Sequence, residues 1–167
     1  MQIDLIIEDE RWQEDWLFAL SLQAARATLG HLGLDPASFE MAVLACDDLR
    51  IASLNQEFRG KQTPTNVLSW PSEDLSPKTE GEIPQLPLIQ NGEHHLGDIA
   101  ISLDTCLHEA EAVGKPLGAH VTHLIVHALL HLLGYDHIRD ADATVMETLE
   151  VAILGKLGHE NPYMLDI

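Results

Sequence analysis

The chain has 167 residues, 46% of them hydrophobic and 22% charged, which excludes wholesale disorder and fits one domain, 1–167, with a core of its own. Nine Lys and Arg against 27 Asp and Glu give a formal charge of −18, a surface that repels nucleic acid and anionic membranes at long range. With no basic, apolar leader and no apolar run near the ~18 residues of a membrane span, the expectation is a cytoplasmic protein with no membrane partner.

Ile3 to Ile7 reads as a short strand. Glu10 to Leu29 reads as an amphipathic helix, with Trp12, Trp16, Ala19, Leu20 and Ala27 at helical spacing and Gly30 as its stop. Glu40 to Cys46 is a short apolar run and predicts a buried strand. Asp47 or Asp48 caps the next helix, which runs to about Phe58. Asn66–Trp70 and Leu96–Ser102 predict two more strands, and helices follow over about 103–112, 117–133 and 142–157. Between the last two strands, residues 71–95 hold four prolines and little periodicity, so an irregular loop is expected there. These elements add up to an α+β domain, about four strands of mixed sheet on one side and about five helices packed against it. Cys46 and Cys106 make no disulfide framework and no four-cysteine zinc site; both read as buried, reduced thiols.

Ten histidines occur, and His120, His123, His127 and His131 fall within an arc of about 80° on the third of the predicted helices after Asp47. The rest of that helix is apolar nearly all round, which marks it as buried. Buried imidazoles need partners, because each unpaired polar group costs roughly 1–3 kcal/mol. A metal answers that need. His127 and His131 are one turn apart, Gly134 ends the helix, and the chain can turn through Tyr135-Asp136 to bring His137 back as a third ligand. Three protein ligands and an open fourth position match a catalytic zinc site, although imidazole also suits copper, nickel or iron. Asp136 is a rival ligand or a partner to a histidine, while His120 and His123 read as hydrogen-bonded core residues. The pattern is close to HExxH, but position 128 is alanine, so the general base of a zincin protease is missing. Glu147 and Glu150 on the last helix are the acids that could approach.

A second stretch, Leu54 to Pro71, places Arg59 and Lys61 around Gly60 before a Thr-Pro-Thr turn. An arginine on such a turn can offer its planar fork to phosphate oxygens; a solvated surface pair is the alternative. Trp70 reads as core, with base stacking the other possibility. His94 and His95 read as loop-surface residues, and His31, His108 and His159 as surface or cap residues.

With these motifs in hand, the chain resembles the YbeY family, the bacterial zinc-dependent endoribonucleases of ribosomal RNA maturation. The family's metal motif H-G-x-L-H-L-x-G-Y-D-H is matched at His127, Leu130, His131, Leu132 and Gly134 to His137. Its upstream signature is matched at Leu54-Asn55, Phe58 to Lys61, Pro64-Thr65, Val67 to Ser69 and Pro71. Gly97 to Ser102, the last helix and Asn161-Pro162-Tyr163 also fit, so the resemblance covers about 47–163. The chain departs from the pattern at Ala128, Gln62, Asn66 and Trp70, and residues 72–95 are longer than is usual.

The resemblance implies one zinc per chain on His127, His131 and His137, with Arg59 as the residue needed for activity and Lys61 as a further phosphate contact. It implies a zincin-like placement of the metal motif on a buried helix. It also implies single-stranded RNA as substrate, 16S rRNA 3′-end maturation and ribosome quality control as the role, and the small ribosomal subunit with its assembly proteins as partners. DNA is not expected, and the oligomeric state stays unassigned. Two rivals remain: a metal hydrolase of peptide or ester bonds, and a non-catalytic ribosome assembly factor with a structural zinc.

Overall fold

The computed structural model describes residues 1–89 and 94–163. Four strands form one mixed sheet: β1 (Gln2–Ile7), β2 (Phe39–Cys46), β3 (Val67–Pro71) and β4 (His94–Ser102). Their order is β1-β2-β4-β3, with β1, β2 and β4 parallel and β3 antiparallel to β4 at the edge. The central strands β2 and β4 are apolar in continuous runs because both faces of the sheet are covered.

Five helices accompany the sheet: α1 (Glu14–His31), α2 (Asp48–Arg59), α3 (Leu103–Val113), α4 (Leu117–Leu132) and α5 (Asp140–Lys156). The main core joins Met41, Val43, Ile99 and Ile101 of the sheet to α1, α4 and α5. Helix α4 lies at its centre and buries Val121, Leu124, Ile125, Ala128, Leu129 and Leu132. Burying a side chain of this size is worth about 1.5–3 kcal/mol, so this row of contacts anchors the histidine helix in the core. Helix α2 differs. It covers the opposite face of the sheet through a smaller cluster of Cys46, Ile51, Leu68 and Ala100.

Several boundaries differ from the sequence expectation. Helix α1 begins at Glu14 rather than Glu10, and Trp12 precedes it, buried, with its indole N–H donating to the Cys46 carbonyl at 3.0 Å. Nor does Gly30 stop that helix. The turn runs through His31, and Gly33 takes the left-handed conformation, with φ 74°. Within the expected loop 71–95, Pro71 belongs to β3 and His94 and His95 to β4, residues 72–89 form neither helix nor strand, and residues 90–93 lie outside the described residues. The expected aspartate cap is present: the Asp47 carboxylate accepts from the Arg50 N–H at 2.8 Å. Both cysteines are buried and free.

Two glycines set close approaches near the candidate site. A Cβ at Gly97, where φ is 145°, would lie 2.2 Å from the Trp70 carbonyl oxygen and 2.9 Å from Leu132 Cδ2. Only glycine lets β3, β4 and α4 close up at this point. A Cβ at Gly134, where φ is 99°, would lie 2.6 Å from the Leu75 carbonyl carbon. The buried Leu75 therefore seats the 72–89 segment directly on the end of α4.

Candidate metal centre and its cleft

The histidines of α4 point away from its apolar contacts. His127 and His131 share one side at i,i+4, and their Nε2 atoms face each other 3.1 Å apart. Each ring is oriented through its other nitrogen. His127 Nδ1 lies 2.5 Å from a Glu150 carboxylate oxygen, and His131 Nδ1 donates to the Tyr135 carbonyl at 2.9 Å. A carboxylate and a carbonyl only accept, so both Nδ1 atoms carry the proton, and in the neutral rings both Nε2 atoms present lone pairs. Two lone pairs at that distance repel unless a cation lies between them. Two nitrogens bound tetrahedrally at 2.0–2.1 Å would be about 3.4 Å apart, so the pair need open by only about 0.3 Å to take a zinc ion.

His137 completes the set. After α4 the Gly134 N–H donates to the His131 carbonyl and the Tyr135 N–H to the Leu130 carbonyl, which folds the chain back over the helix end. The His137 ring then stacks beside His127 at 5.2 Å and meets His131 edge-on at 5.0 Å between ring centres. The ligand atoms of His127, His131 and His137 all lie within 4.8 Å of one another and could hold a metal ion. Asp136 belongs to no such group among the described residues; its carboxylate accepts from the His137 N–H at 2.7 Å. Burial pushes the His131 pKa down to about 4, and the charges of His127 and His137 add to the effect, so this ring stays neutral at physiological pH.

Glu150 is fully buried on α5 and cannot reach the cleft as a base. Burial alone would raise its pKa. Hydrogen bonds from His123, His127 and Tyr163 outweigh that and hold it at about 2. His120 and His123 are hydrogen-bonded, as their sequence context suggested: His120 pairs with Glu109 at 2.9 Å and His123 with Glu150 at 3.0 Å. From the sequence, Glu150 was one of two acids on the last helix able to approach, and Tyr163 had no assigned role. The signal for Glu150 was an acid on the stripe of Met146, Ile153 and Leu154.

A cleft of about 640 Å³ opens beside the histidines. Its lining combines His131, Asp136 and His137 from the end of α4 and the turn after it with Arg59 and Lys61 from the end of α2, and also includes Glu73 and Asp74. Arg59 closes α2, and Gly60 turns the chain left-handed, with φ 69°. The buried Asn55 side-chain amide donates to the Thr63 carbonyl at 2.9 Å, and the Asn55 backbone carbonyl accepts from the Lys61 N–H at 3.4 Å, fixing the turn. Among the described residues neither Arg59 nor Lys61 is in an ion pair. Trp70 is half-buried and packs edge-on against the exposed Phe58 at 4.8 Å. His94 and His95 lie on β4, where they pair with Glu73 and with Glu40 and Asp98. No helix among the described residues is long and apolar enough to cross a membrane.

Comparison with known proteins agrees with this geometry. The family model described as Endoribonuclease YbeY matches residues 4–158. A relative of that name from Ruegeria pomeroyi is 57% identical over 167 residues, covering 99% of this chain and all of its own length. Another from Paracoccus denitrificans is 55% identical, covering 97% of this chain and 90% of its own length. A relative from Bartonella bacilliformis is 39% identical, covering 98% of this chain and 97% of its own length. The solution structure of a Thermotoga maritima protein superposes with a TM-score of 0.54 at 19% identity, over 98% of this chain and 100% of that one, and shares the fold.

Proposed function

The chain belongs to the YbeY endoribonuclease family and is an endoribonuclease, a hydrolase of RNA; from that premise we propose that it is a zinc-dependent, single-strand-specific enzyme of 16S rRNA 3′-end maturation and ribosome quality control. It works as one domain over 1–167, in the cytoplasm. The observation that carries this reading is the cleft itself. Arg59 and Lys61, in no ion pair among the described residues, line the same cleft as His131 and His137, two of the three converging histidines, in a protein of charge −18.

In this reading His127, His131 and His137 hold the ion, one per chain. Zinc there supplies Lewis acidity, enough to polarise a phosphoryl oxygen and bring the pKa of a water toward 7. The protein's part is orientation and charge. Arg59 presents two parallel N–H groups to the phosphate oxygens and stabilises the negative charge that grows in the transition state. Lys61 holds a neighbouring phosphate as a point charge. The Glu150 and Tyr135 oxygens keep His127 and His131 in the tautomer that offers Nε2. No protein carboxylate is assigned as base, since Glu150 is buried and spent on its hydrogen bonds.

The charge of −18 supports a docked substrate. Free RNA gains little from so acidic a surface, and a small ribosomal subunit with its assembly proteins supplies the missing attraction. The test is cleavage of a single-stranded RNA by the zinc-loaded protein, beside His127→Ala and a chelated sample. Cleavage should fall by about 10³-fold or more in both, since a Lewis acid is worth several kcal/mol in the transition state. Casein turnover that disappears in His127→Ala would favour the peptidase instead, and unfolding on chelation would favour a structural metal. The product ends, cyclic phosphate or free hydroxyl, identify the nucleophile as the RNA 2′-OH or a water.

A further inference from the structure

We propose that Glu150 is the positioning residue of the histidine cluster, and that His123 and Tyr163 hold it in place. The inference rests on the reading of His127 as a metal ligand. It accounts for the part of the histidine stripe that the cleft leaves unused.

Glu150 occupies a core position. The inward stripe of α5 is Met146, Glu150, Ile153 and Leu154, and the carboxylate is wholly buried among them. A carboxylate in such a place is costly unless every oxygen is matched by donors. Here every oxygen is matched. One oxygen takes the His127 Nδ1 proton at 2.5 Å. The other accepts from His123 Nε2 at 3.0 Å and from the Tyr163 hydroxyl. Because a carboxylate accepts and cannot donate, it fixes which nitrogen of His127 carries the proton and leaves Nε2 free toward His131. His123, one turn back along α4 from His127, has spent its Nε2 on Glu150 and so braces the carboxylate through its other oxygen.

The third support comes from beyond α5. Tyr163 follows a short turn in which its own N–H donates to the Asn161 side chain at 2.8 Å. Its ring stands edge-on to His123, with ring centres 5.7 Å apart. Tyr163 thus packs against His123, and its hydroxyl donates to an oxygen that no apolar neighbour could satisfy. The carboxylate reaches the cleft only through His127, so its effect must appear first in how tightly and in what geometry the histidines take a metal.

The measurement is the zinc dissociation constant of the full chain by competition with a chromophoric chelator. It is paired with the visible spectrum of the Co(II)-loaded protein and with melting of the metal-free protein. Glu150→Gln keeps the size but leaves one accepting oxygen for two imidazoles and a hydroxyl. It should raise the zinc Kd about 10–100-fold and shift the Co(II) bands. Tyr163→Phe, at a partly exposed residue that tolerates the change, should raise Kd in the same direction by less than about tenfold. Ile51→Val, in the cluster across the sheet, should lower the melting temperature and leave Kd and spectrum alone. A folded Glu150→Gln protein with wild-type Kd and Co(II) bands overturns the proposal. Should Glu150→Gln fail to fold, Tyr163→Phe decides: an unchanged Kd and spectrum overturns it, and a raised Kd supports it. If His127→Ala binds zinc as tightly as wild type, the ligand assignment beneath the proposal fails, which is a different result from the failure of Glu150.

Discussion

The two walls of the cleft are built in opposite ways. On the histidine wall each ring of α4 is fixed by an acceptor, and burial and the neighbouring charges keep His131 neutral. On the facing wall Arg59 and Lys61 stand on a turn that is fixed only in its backbone, and their side chains are in no ion pair among the described residues. The contrast matches what each wall is proposed to bind. A metal ion demands ligand positions within a few tenths of an ångström, which only a packed and hydrogen-bonded helix supplies. A phosphate in a flexible strand can be met by a long cationic side chain that reaches for it.

After loss of the metal itself, the largest expected effect comes from removing the reaching wall. Arg59→Ala should lower RNA cleavage by about 10²–10³-fold, the usual loss for one oriented donor to transition-state charge, while zinc binding and melting stay near wild type. A variant that cleaves normally would sink the assignment of Arg59, and one that also loses zinc would dissolve the distinction between the walls.

Next in size is acid sensitivity of the held wall. His131 has a folded pKa of about 4 against an ordinary 6.5. Below pH 6.5 the unfolded chain takes up a proton that the folded one does not. Stability of the metal-free protein should therefore be full above pH 6.5 and fall as the pH drops toward 4, by up to about 3 kcal/mol. Denaturant midpoints at pH 7.5 and 4.5 measure this, with His131→Gln as the variant that should flatten the slope.

Gly134→Ala should cost about 1–3 kcal/mol, because the new Cβ collides with Leu75 and the backbone there has φ 99°. It shows as a lower melting temperature and faster proteolysis within 72–89. An unchanged melt would mean that the segment does not rest on the helix end.

The smallest effect belongs to Lys61→Gln. Affinity for single-stranded RNA should drop a few-fold, and the slope of log K against log salt should lessen by about 0.7, the share of one phosphate contact. A slope unchanged from wild type would remove Lys61 from the substrate path.

Much of this was legible from the chain. The histidine stripe, the glycine that ends α4 and the return to His137 lie within eighteen residues, where helical geometry alone sets who can meet whom. The Asp47 cap and the buried thiols were local matters too, and both are present. The start of α1 was not legible, since Trp12 continues the helical spacing yet is held outside the helix by a bond to the Cys46 carbonyl across the core. Gly30 misled for a related reason: tertiary packing carried the helix past a weak residue.

Sequence by itself therefore determined the element types and the three histidines that can converge, because periodicity and short spacings encode the faces of single elements, while its two long motifs carried the family resemblance. Tertiary structure alone decided three things. It set Arg59 and Lys61 across a cleft from histidines some seventy residues on. It laid α2 on the far face of the sheet. It brought Glu150 from α5 beneath His127. Those relations depend on how β3, β4, α4 and α5 pack, and no spacing along the chain carries the distance between side chains on different elements.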